Sequence, residues 1–370
     1  MKKECFKIRY GSFDGLRAIA AFCIVMMHVR ANMTVKPEGA LIYSIMASFS
    51  SFVYMFMMLS AFSLCCGYYN KFTVKDGSCS FDVDKFYNKR YARIWPFFFI
   101  LVAIECLMDH SLESLYHSFA DLTLVFHLLP NPSLHVVGMG WFLGVIFLFY
   151  IMFPFFTYLL HSRRRAWLAM VVAIVFQLVG YNYFLTDSSL VVSPVFKRQI
   201  IFCLPYFMAG GLLFLYRNKL LEYGGENRKV VLFFAIVSYA VYFTPIKPVV
   251  WNDGYLYLTV VYSLLILYAM ADSIRINKVK EETGVTPRSF LDNKVMKFVS
   301  NISMEIYLCH MMMFRVVEKL HLEKHIDNTD LSFVLHFLVT FTLALSFAWF
   351  VKCVLFNYLS KRFPSLSFLG

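Results

Sequence analysis

Asp14-Gly-Leu-Arg17-Ala-Ile-Ala-Ala-Phe-Cys-Ile-Val-Met-Met-His28 is an apolar stretch that carries a cation at Arg17 and an imidazole at His28. In an α-helix, eleven residues make three turns plus about 20°, so these two side chains share one face, about 16 Å apart. A central arginine in a membrane span costs about 2.5–3.5 kcal/mol, and such residues usually have a function. The alternative is an arginine that reaches the membrane surface and a histidine bonded to a neighbouring helix. The pair favours a site where a charged, long substrate meets a catalytic base.

The composition excludes a soluble globular protein, because 59% of the 370 residues are hydrophobic and only 16% are charged. Apolar stretches of about 20 residues each predict membrane-spanning helices. The sequence therefore predicts an all-α integral membrane protein with about ten transmembrane helices. We place them at 14–33, 43–68, 94–109, 139–160, 166–184, 199–216, 229–246, 254–272, 296–317 and 332–356. Segment 118–130 is too short to span and is predicted to be interfacial or re-entrant.

The distribution of Lys and Arg predicts the orientation. About three times as many fall in the loops on the N-terminal side as in the opposite loops, which places both termini in the cytoplasm. The net charge of +12 thus reflects topology and anion binding, and it does not indicate a nucleic-acid partner. We expect one membrane domain over 1–370, with no fused soluble domain, in the lipid bilayer of the cytoplasmic (inner) membrane. The first apolar run is interpreted as a retained helix.

Arg90 and Arg93 form a second constellation, three residues apart and on one helix face. They precede the predicted third span, with Pro96 placed in its first turn, where a missing N–H is tolerated. Free N–H groups at the helix start and two guanidinium groups would suit a nucleotide pyrophosphate or 3′-phosphate. The alternative is that Arg90 and Arg93 only mark the cytoplasmic end of a span, where Lys and Arg are common, and this explains them equally well.

Ser303, Tyr307 and His310 recur at i, i+4 and i+7 in the predicted ninth span and form a polar stripe. Glu305 points elsewhere and is expected to pair with a cation from another helix. Hydrogen bonds between helices are the alternative explanation, and for His310 we leave both open.

Two further residues are weaker candidates. Hydrogen bonding within or between helices is enough to explain Ser60 in the second predicted span. Interfacial anchoring is enough to explain Trp141 at the start of the fourth. The 109–138 connection contains His110, His117, His127 and His135, but their spacing fits no helical ligand pair, and the cysteines show no ligand spacing either. No metal site is predicted.

Taken in order, these motifs resemble the acyltransferase-3 family of integral membrane acyltransferases over nearly the whole chain. The similarity lies in Phe13-Asp14-Gly15-Leu16-Arg17 with His28, Phe56-Met-Met-Leu-Ser60-Ala61-Phe62, Arg90-x-x-Arg93-Ile-x-Pro96, Trp141-Phe142-Leu143 and Ser303-Met-Glu305-Ile-Tyr307-Leu-x-His310. The chain departs from the family pattern in two places. Ala61 replaces the usual Gly, and Ile146 stands where many members have Glu, so no carboxylate is expected to assist catalysis at that position.

The resemblance implies O-acyl transfer, usually of acetyl, from acyl-CoA to a hydroxyl of a carbohydrate acceptor, either lipid-linked or an envelope or secreted glycan. No bound cofactor is implied, and acetyl-CoA is a co-substrate. Arg90, Arg93 and Arg17 would hold the nucleotide, and Asp14 would fix Arg17. His28 would act as general base or carry the acyl group covalently, and we favour the base. Ser60, Trp141, Ser303, Glu305, Tyr307 and His310 would support the site or the acceptor.

Two other functions compete with this one. A transporter or flippase of an anionic or polyprenyl-linked glycan could use the same arginines for phosphate, although we find no internal repeat of the kind many transporters show. A non-catalytic partner in a polysaccharide assembly complex would leave the Arg17–His28 pair unexplained.

Overall fold

The computed structural model describes residues 9–37, 40–72, 74–75, 78–79, 81–125, 128, 136–180, 196–244 and 254–363. In these ranges the chain is helical apart from connecting loops and a two-residue antiparallel ribbon, Val74–Lys75 with Ser78–Cys79. The predicted all-α class is confirmed. The helices are α1 Ser12–Asn32, α2 Ala40–Ser48, α3 Phe52–Tyr68, α4 Val83–Asp109, α5 Leu112–Leu122, α6 Gly140–Ile151, α7 Phe153–Leu160, α8 Arg163–Val179, α9 Ile200–Gly224, α10 Arg228–Val241, α11 Tyr255–Thr283, α12 Lys294–Asn301, α13 Ser303–Glu318, α14 Thr329–Trp349 and α15 Phe356–Arg362.

Three non-α segments lengthen these helices. The 3₁₀ turn Phe49–Ser51 connects α2 to α3, and Tyr69–Phe72 prolongs α3. The π-helical segment Phe350–Leu355 joins α14 to α15. Together they make two long helical stretches from shorter helices.

Several helix starts follow from the local sequence. The side chains of Asp82, Ser111, Asn293 and Asn328 each accept a hydrogen bond from the backbone N–H three residues on, at 2.9 to 3.0 Å. Short polar side chains at this position satisfy N–H groups that have no partner inside the helix.

Helix α1 lies at the centre of the fold. It packs against α3, α11, α12, α13 and α14. Its side chains Ala20, Ala21, Ile24 and Val25 have no exposed surface. The chain thus places the helix that carries Arg17 and His28 inside a ring of other helices.

Six helical stretches are long and apolar enough to cross a membrane: Ser12–Asn32, Tyr43–Phe72, Val83–Asp109, Ile200–Gly224, Tyr255–Thr283 and Thr329–Arg362. Helices α6 and α7 make a seventh if their 59° bend lies within one span. All seven coincide with predicted spans.

The other three predicted spans coincide with shorter helices. Helix α8 has 17 residues and α10 has 14, and predicted spans 166–184 and 229–246 reach past the described ranges. The third, 296–317, is divided into α12 and α13. Large apolar side chains such as Trp167, Leu168 and Phe233 point outward from α8 and α10, as expected of helices in contact with lipid. The count of ten and the cytoplasmic position of the termini stay predictions.

Helix α4 begins earlier than predicted. The expected start near residue 94 is wrong, because Asp82 caps a helix that continues from Val83 to Asp109. Arg90 and Arg93 therefore lie inside the helix, where their N–H groups are not free, and Pro96 is in its interior rather than in its first turn. Hydropathy misses this start because the charged residues before 94 are good helix formers but lower the mean hydropathy.

Gly15 marks a close approach of α1 to the segment before α12. A Cβ at this position would lie 2.4 Å from the carbonyl oxygen of Leu291 and 2.5 Å from its Cα, which only a backbone shift could relieve. We expect Gly15→Ala to lower the free energy of unfolding by about 1–3 kcal/mol, as overpacking usually does.

The measurement is the thermal unfolding midpoint in detergent. Gly67→Ala is the control, because a Cβ there would meet nothing within 4 Å and alanine favours helix. Equal midpoints for the two variants would contradict the close approach at Gly15.

Candidate functional site

A cavity opens among helices α1, α3, α4, α6 and α13. Its volume is about 870 Å³ including the open space at its mouth. Six of the residues singled out from the sequence line it: Arg17, Ser60, Arg90, Arg93, Ser303 and Tyr307. We call it the arginine cavity. Residues separated by almost 300 positions in the chain thus meet at one place.

Arg17 is held in the arginine cavity from two sides. Its guanidinium donates to the hydroxyl of Ser63 at 2.8 Å and pairs with Asp14, one turn earlier, at 3.4 Å. Asp14 also accepts from the hydroxyl of Ser300 at 3.0 Å and pairs with Arg9 at 3.3 Å. The pairing of Asp14 with Arg17, predicted from their spacing, is present.

Arg90 and Arg93 carry two more guanidinium groups into the cavity. Arg90 donates to the hydroxyl of Tyr68 at 3.3 Å and stacks 5.5 Å from the ring of Tyr150. Arg93 makes no hydrogen bond or ion pair within the described ranges. Among the described residues that line the cavity there are three guanidinium groups and no carboxylate. Such a charge balance suits an anionic ligand.

His28 and His310 lie against each other, near the far end of α1 from Arg17. Their ring centroids are 5.1 Å apart. The Nδ1 of His310 is 2.6 Å from the carbonyl oxygen of Tyr307, so Nδ1 carries a proton and Nε2 is left as an acceptor. That Nε2 is buried and has no hydrogen-bond partner in the part of the chain described. Neither ring lines the arginine cavity itself, but Tyr307 lines it one helical turn before His310.

Tyr307 connects the histidine pair to the cavity. Its side chain is 3% exposed, its ring packs edge-on against Phe142 at 5.3 Å, and its hydroxyl has no partner among the described atoms. A buried hydroxyl without a partner is costly and is usually satisfied by a ligand or water. The Ser303 hydroxyl, by contrast, is already used by the carbonyl of Ser300 at 2.8 Å.

Trp141 and Glu305 lie outside the cavity lining. Trp141 is 8% exposed, and the guanidinium of Arg198 is 5.9 Å from its ring. Glu305 forms an ion pair with Lys352 of the π-helical segment. The expected cation partner of Glu305 from another helix is therefore confirmed, and this pair ties α13 to the end of α14.

Sequence reasoning missed several residues of the site. Ser63 and Ser300 hold Arg17 and Asp14, and Arg198 lies near both His28 and Tyr307. Ser63 lies three residues after Ser60 on the same face of α3, and this spacing could have identified it. No local sequence pattern identifies Arg198. Of the four loop histidines, His110 ends α4 and His117 lies in α5, while His127 and His135 lie outside the described residues.

Asp121 of α5 secures the backbone that leads into α6 and Trp141. Its Oδ2 accepts from the N–H of Val136 at 2.7 Å, while its Oδ1 is buried without a described partner. Burial raises the pKa of the Asp121 carboxyl from 3.8 to about 7, and the backbone N–H groups of Val136 and Val137 only partly oppose this.

This raised pKa predicts a pH-dependent stability. The folded protein holds the proton more tightly than the unfolded chain, so the stability present below pH 3.8 is lost as the pH rises through about 7. Asp121→Asn keeps an oxygen for Val136 and cannot ionise, so its melting temperature relative to wild type should rise between about pH 4 and about pH 7 and stay level above that. The control variant is Asp327→Asn, which removes an exposed carboxylate. A pH-independent difference for Asp121→Asn would contradict the assignment.

Comparison with known proteins agrees with the order of motifs. A family model described as an acyltransferase domain matches residues 10–353, a range that contains the arginine cavity and both histidines. No curated protein and no solved structure matches the sequence significantly. The chain is therefore a multi-pass membrane protein that belongs to the acyltransferase-3 family.

Proposed function

We propose that this protein transfers an acetyl group from acetyl-CoA to a hydroxyl of a cell-envelope or secreted carbohydrate, in the cytoplasmic membrane. The observation that carries the proposal is the arginine cavity, with three guanidinium groups and no carboxylate among its described lining residues, next to the His28–His310 pair. The family supports acyl transfer, whereas the donor, the acceptor and the base are our assignments.

The arginines account for recognition of the CoA end. Arg17, Arg90 and Arg93 would bind its phosphate oxygens, which match the planar fork of a guanidinium group. The uncharged pantetheine arm would then extend along α1, where Arg17 and His28 are about 16 Å apart. A donor held in this way brings its thioester to the histidine pair.

His28 would act as the general base. It takes the proton of the carbohydrate hydroxyl as the oxygen attacks the thioester carbon. The carbon–sulfur bond breaks, the CoA thiolate leaves, and the imidazolium of His28 returns the proton to the sulfur. The products are an acetyl ester and CoA with a free thiol, so no further reactant is needed.

His310 would position His28. Because Nδ1 of His310 donates to the carbonyl of Tyr307, its Nε2 can accept an N–H from the neighbouring imidazole. Such a bond fixes which nitrogen of His28 is free to take a proton and stabilises the imidazolium. The hydroxyl of Tyr307, which has no partner among the described residues, would in turn donate to the developing oxyanion of the thioester. Ser60 and Ser303 would contact donor or acceptor from the cavity wall, and Trp141 and Glu305 would support the surrounding helices.

The test is release of CoA thiol by the detergent-purified protein, supplied with acetyl-CoA and a crude envelope-glycan extract. Release that depends on both components supports acetyl transfer. The alternative, a glycan transporter or flippase that uses the arginines for phosphate, predicts no binding of CoA by titration calorimetry and movement of glycan across reconstituted vesicles. That result would overturn the proposal.

A further inference from the structure

A second basic pocket lies at the start of α4. Among the described residues, its walls hold three lysines, Lys71, Lys85 and Lys89, and one carboxylate, Asp82. The Oδ1 of Asp82 accepts the N–H of Lys85 at 2.9 Å to cap α4, so this carboxylate has a structural role. We call this the lysine pocket. Its volume is about 520 Å³ including open space, and its balance of charge favours an anion.

The lysine pocket adjoins the arginine cavity. Tyr68 and Phe86 line the lysine pocket, while Arg90 lines the cavity and touches both of them. The guanidinium of Arg90 donates to the Tyr68 hydroxyl at 3.3 Å and lies 5.3 Å from the Phe86 ring. Arg90 and these two rings therefore form the wall between the lysine pocket and the arginine cavity. A ligand too long for one of these spaces could extend past this wall into the other.

Aromatic rings form the rest of the described lining of the lysine pocket. Tyr68 and Phe86 meet edge-on at 4.9 Å, and Phe81 stacks on Phe72 at 3.9 Å. Rings next to ammonium groups suit a ligand that combines a planar base with phosphate, because one part stacks and the other pairs with charge.

The position along the helices fits the same ligand. Lys85 and Lys89 precede Arg90 in α4, and Arg17 bonds to Ser63 near the end of α3 that leads to Tyr68. The lysine pocket is thus on the side of the arginines that faces away from His28. A donor whose thioester reaches His28 would place its nucleoside on that side.

We infer that the lysine pocket binds the 3′-phosphorylated adenosine of acyl-CoA, while the arginine cavity binds the diphosphate and the pantetheine arm. This inference rests on the proposed function. It assigns the ammonium groups of Lys85 and Lys89 to the 3′-phosphate, and it predicts that the protein distinguishes CoA from dephospho-CoA, which lacks that group.

The experiment measures dissociation constants of CoA and dephospho-CoA by titration calorimetry for the full-length protein. The double variant Lys85→Gln/Lys89→Gln should bind CoA at least about tenfold more weakly, in line with loss of a charge-assisted hydrogen bond, and dephospho-CoA almost as wild type does. Lys85→Arg/Lys89→Arg should retain the preference for CoA. Lys219→Gln, an exposed lysine outside both spaces, is the charge control.

Two results would overturn the inference separately. If wild type binds CoA but the double variant loses equal affinity for both ligands, or none, the lysine pocket does not hold the 3′-phosphate. If wild type binds neither ligand, the proposed function fails as well. Equal melting temperatures of the variants show that changes in affinity do not arise from unfolding.

Discussion

His28→Ala is expected to reduce acetyl transfer by about 10²–10⁴-fold, the usual contribution of a general base, while the affinity for CoA stays unchanged. Acetyl transfer should fall without a change in CoA affinity because the arginines that would bind CoA lie about 16 Å from His28, towards the other end of α1. The measurements are CoA-thiol release at saturating acetyl-CoA and CoA binding by calorimetry. His117→Ala on α5, outside the cavity lining, is the control.

A double variant tests the relation between the two histidines. If His310 acts only by positioning His28, His310→Gln should reduce transfer in the wild-type background and cause no further loss beside His28→Ala. His310→Gln should also change the pH profile of the reaction, which a purely structural role would not do. Independent, multiplicative losses would contradict the positioning role.

Arg93→Ala is expected to weaken CoA binding by about 10- to 100-fold, the range for a hydrogen bond to a charged group. Arg93 lines the cavity without a hydrogen bond or an ion pair within the described ranges, so its removal leaves no protein group unpaired. Transfer at saturating acetyl-CoA should change much less, because the base is intact. Calorimetric titration and the dependence of rate on acetyl-CoA concentration measure the two quantities.

Arg164→Ala is the matched control for this variant. Arg164 is an exposed arginine at the start of α8 and does not line the cavity. Its substitution removes the same charge and should leave CoA affinity unchanged. An equal loss in both variants would mean that net charge, and not the cavity, determines affinity.

Much of the site follows from the spacing of polar residues in apolar helices. The Asp14–Arg17 pair follows from their three-residue separation. That Glu305 pairs with a cation from another helix follows from the cost of an isolated carboxylate among apolar helices, although the sequence does not identify this cation as Lys352. Arg90 and Arg93 lie three residues apart in α4 and share a face of it, and both line the arginine cavity although the expected helix start near 94 is wrong.

Other features depend on packing between distant segments. The proximity of His28 to His310 joins helices that are far apart in sequence, and hydropathy carries no information on which faces meet. A break at Ile302 separates α12 from α13, which starts at Ser303. The sequence does not predict this break because its apolar pattern continues through it. The lysine pocket could not be predicted for a related reason. The orientation predicted for the chain is enough to explain lysines at this helix start, and only the fold places them beside Arg90.

The most direct test of the central claim follows the acetyl group itself. Wild-type protein and His28→Ala would each be given acetyl-CoA with a radiolabelled acetyl group and the envelope-glycan extract, and label in the glycan fraction would be counted. The account predicts label in the glycan with wild type and almost none with His28→Ala, although both bind CoA. Equal label with both proteins would contradict acetyl transfer at His28.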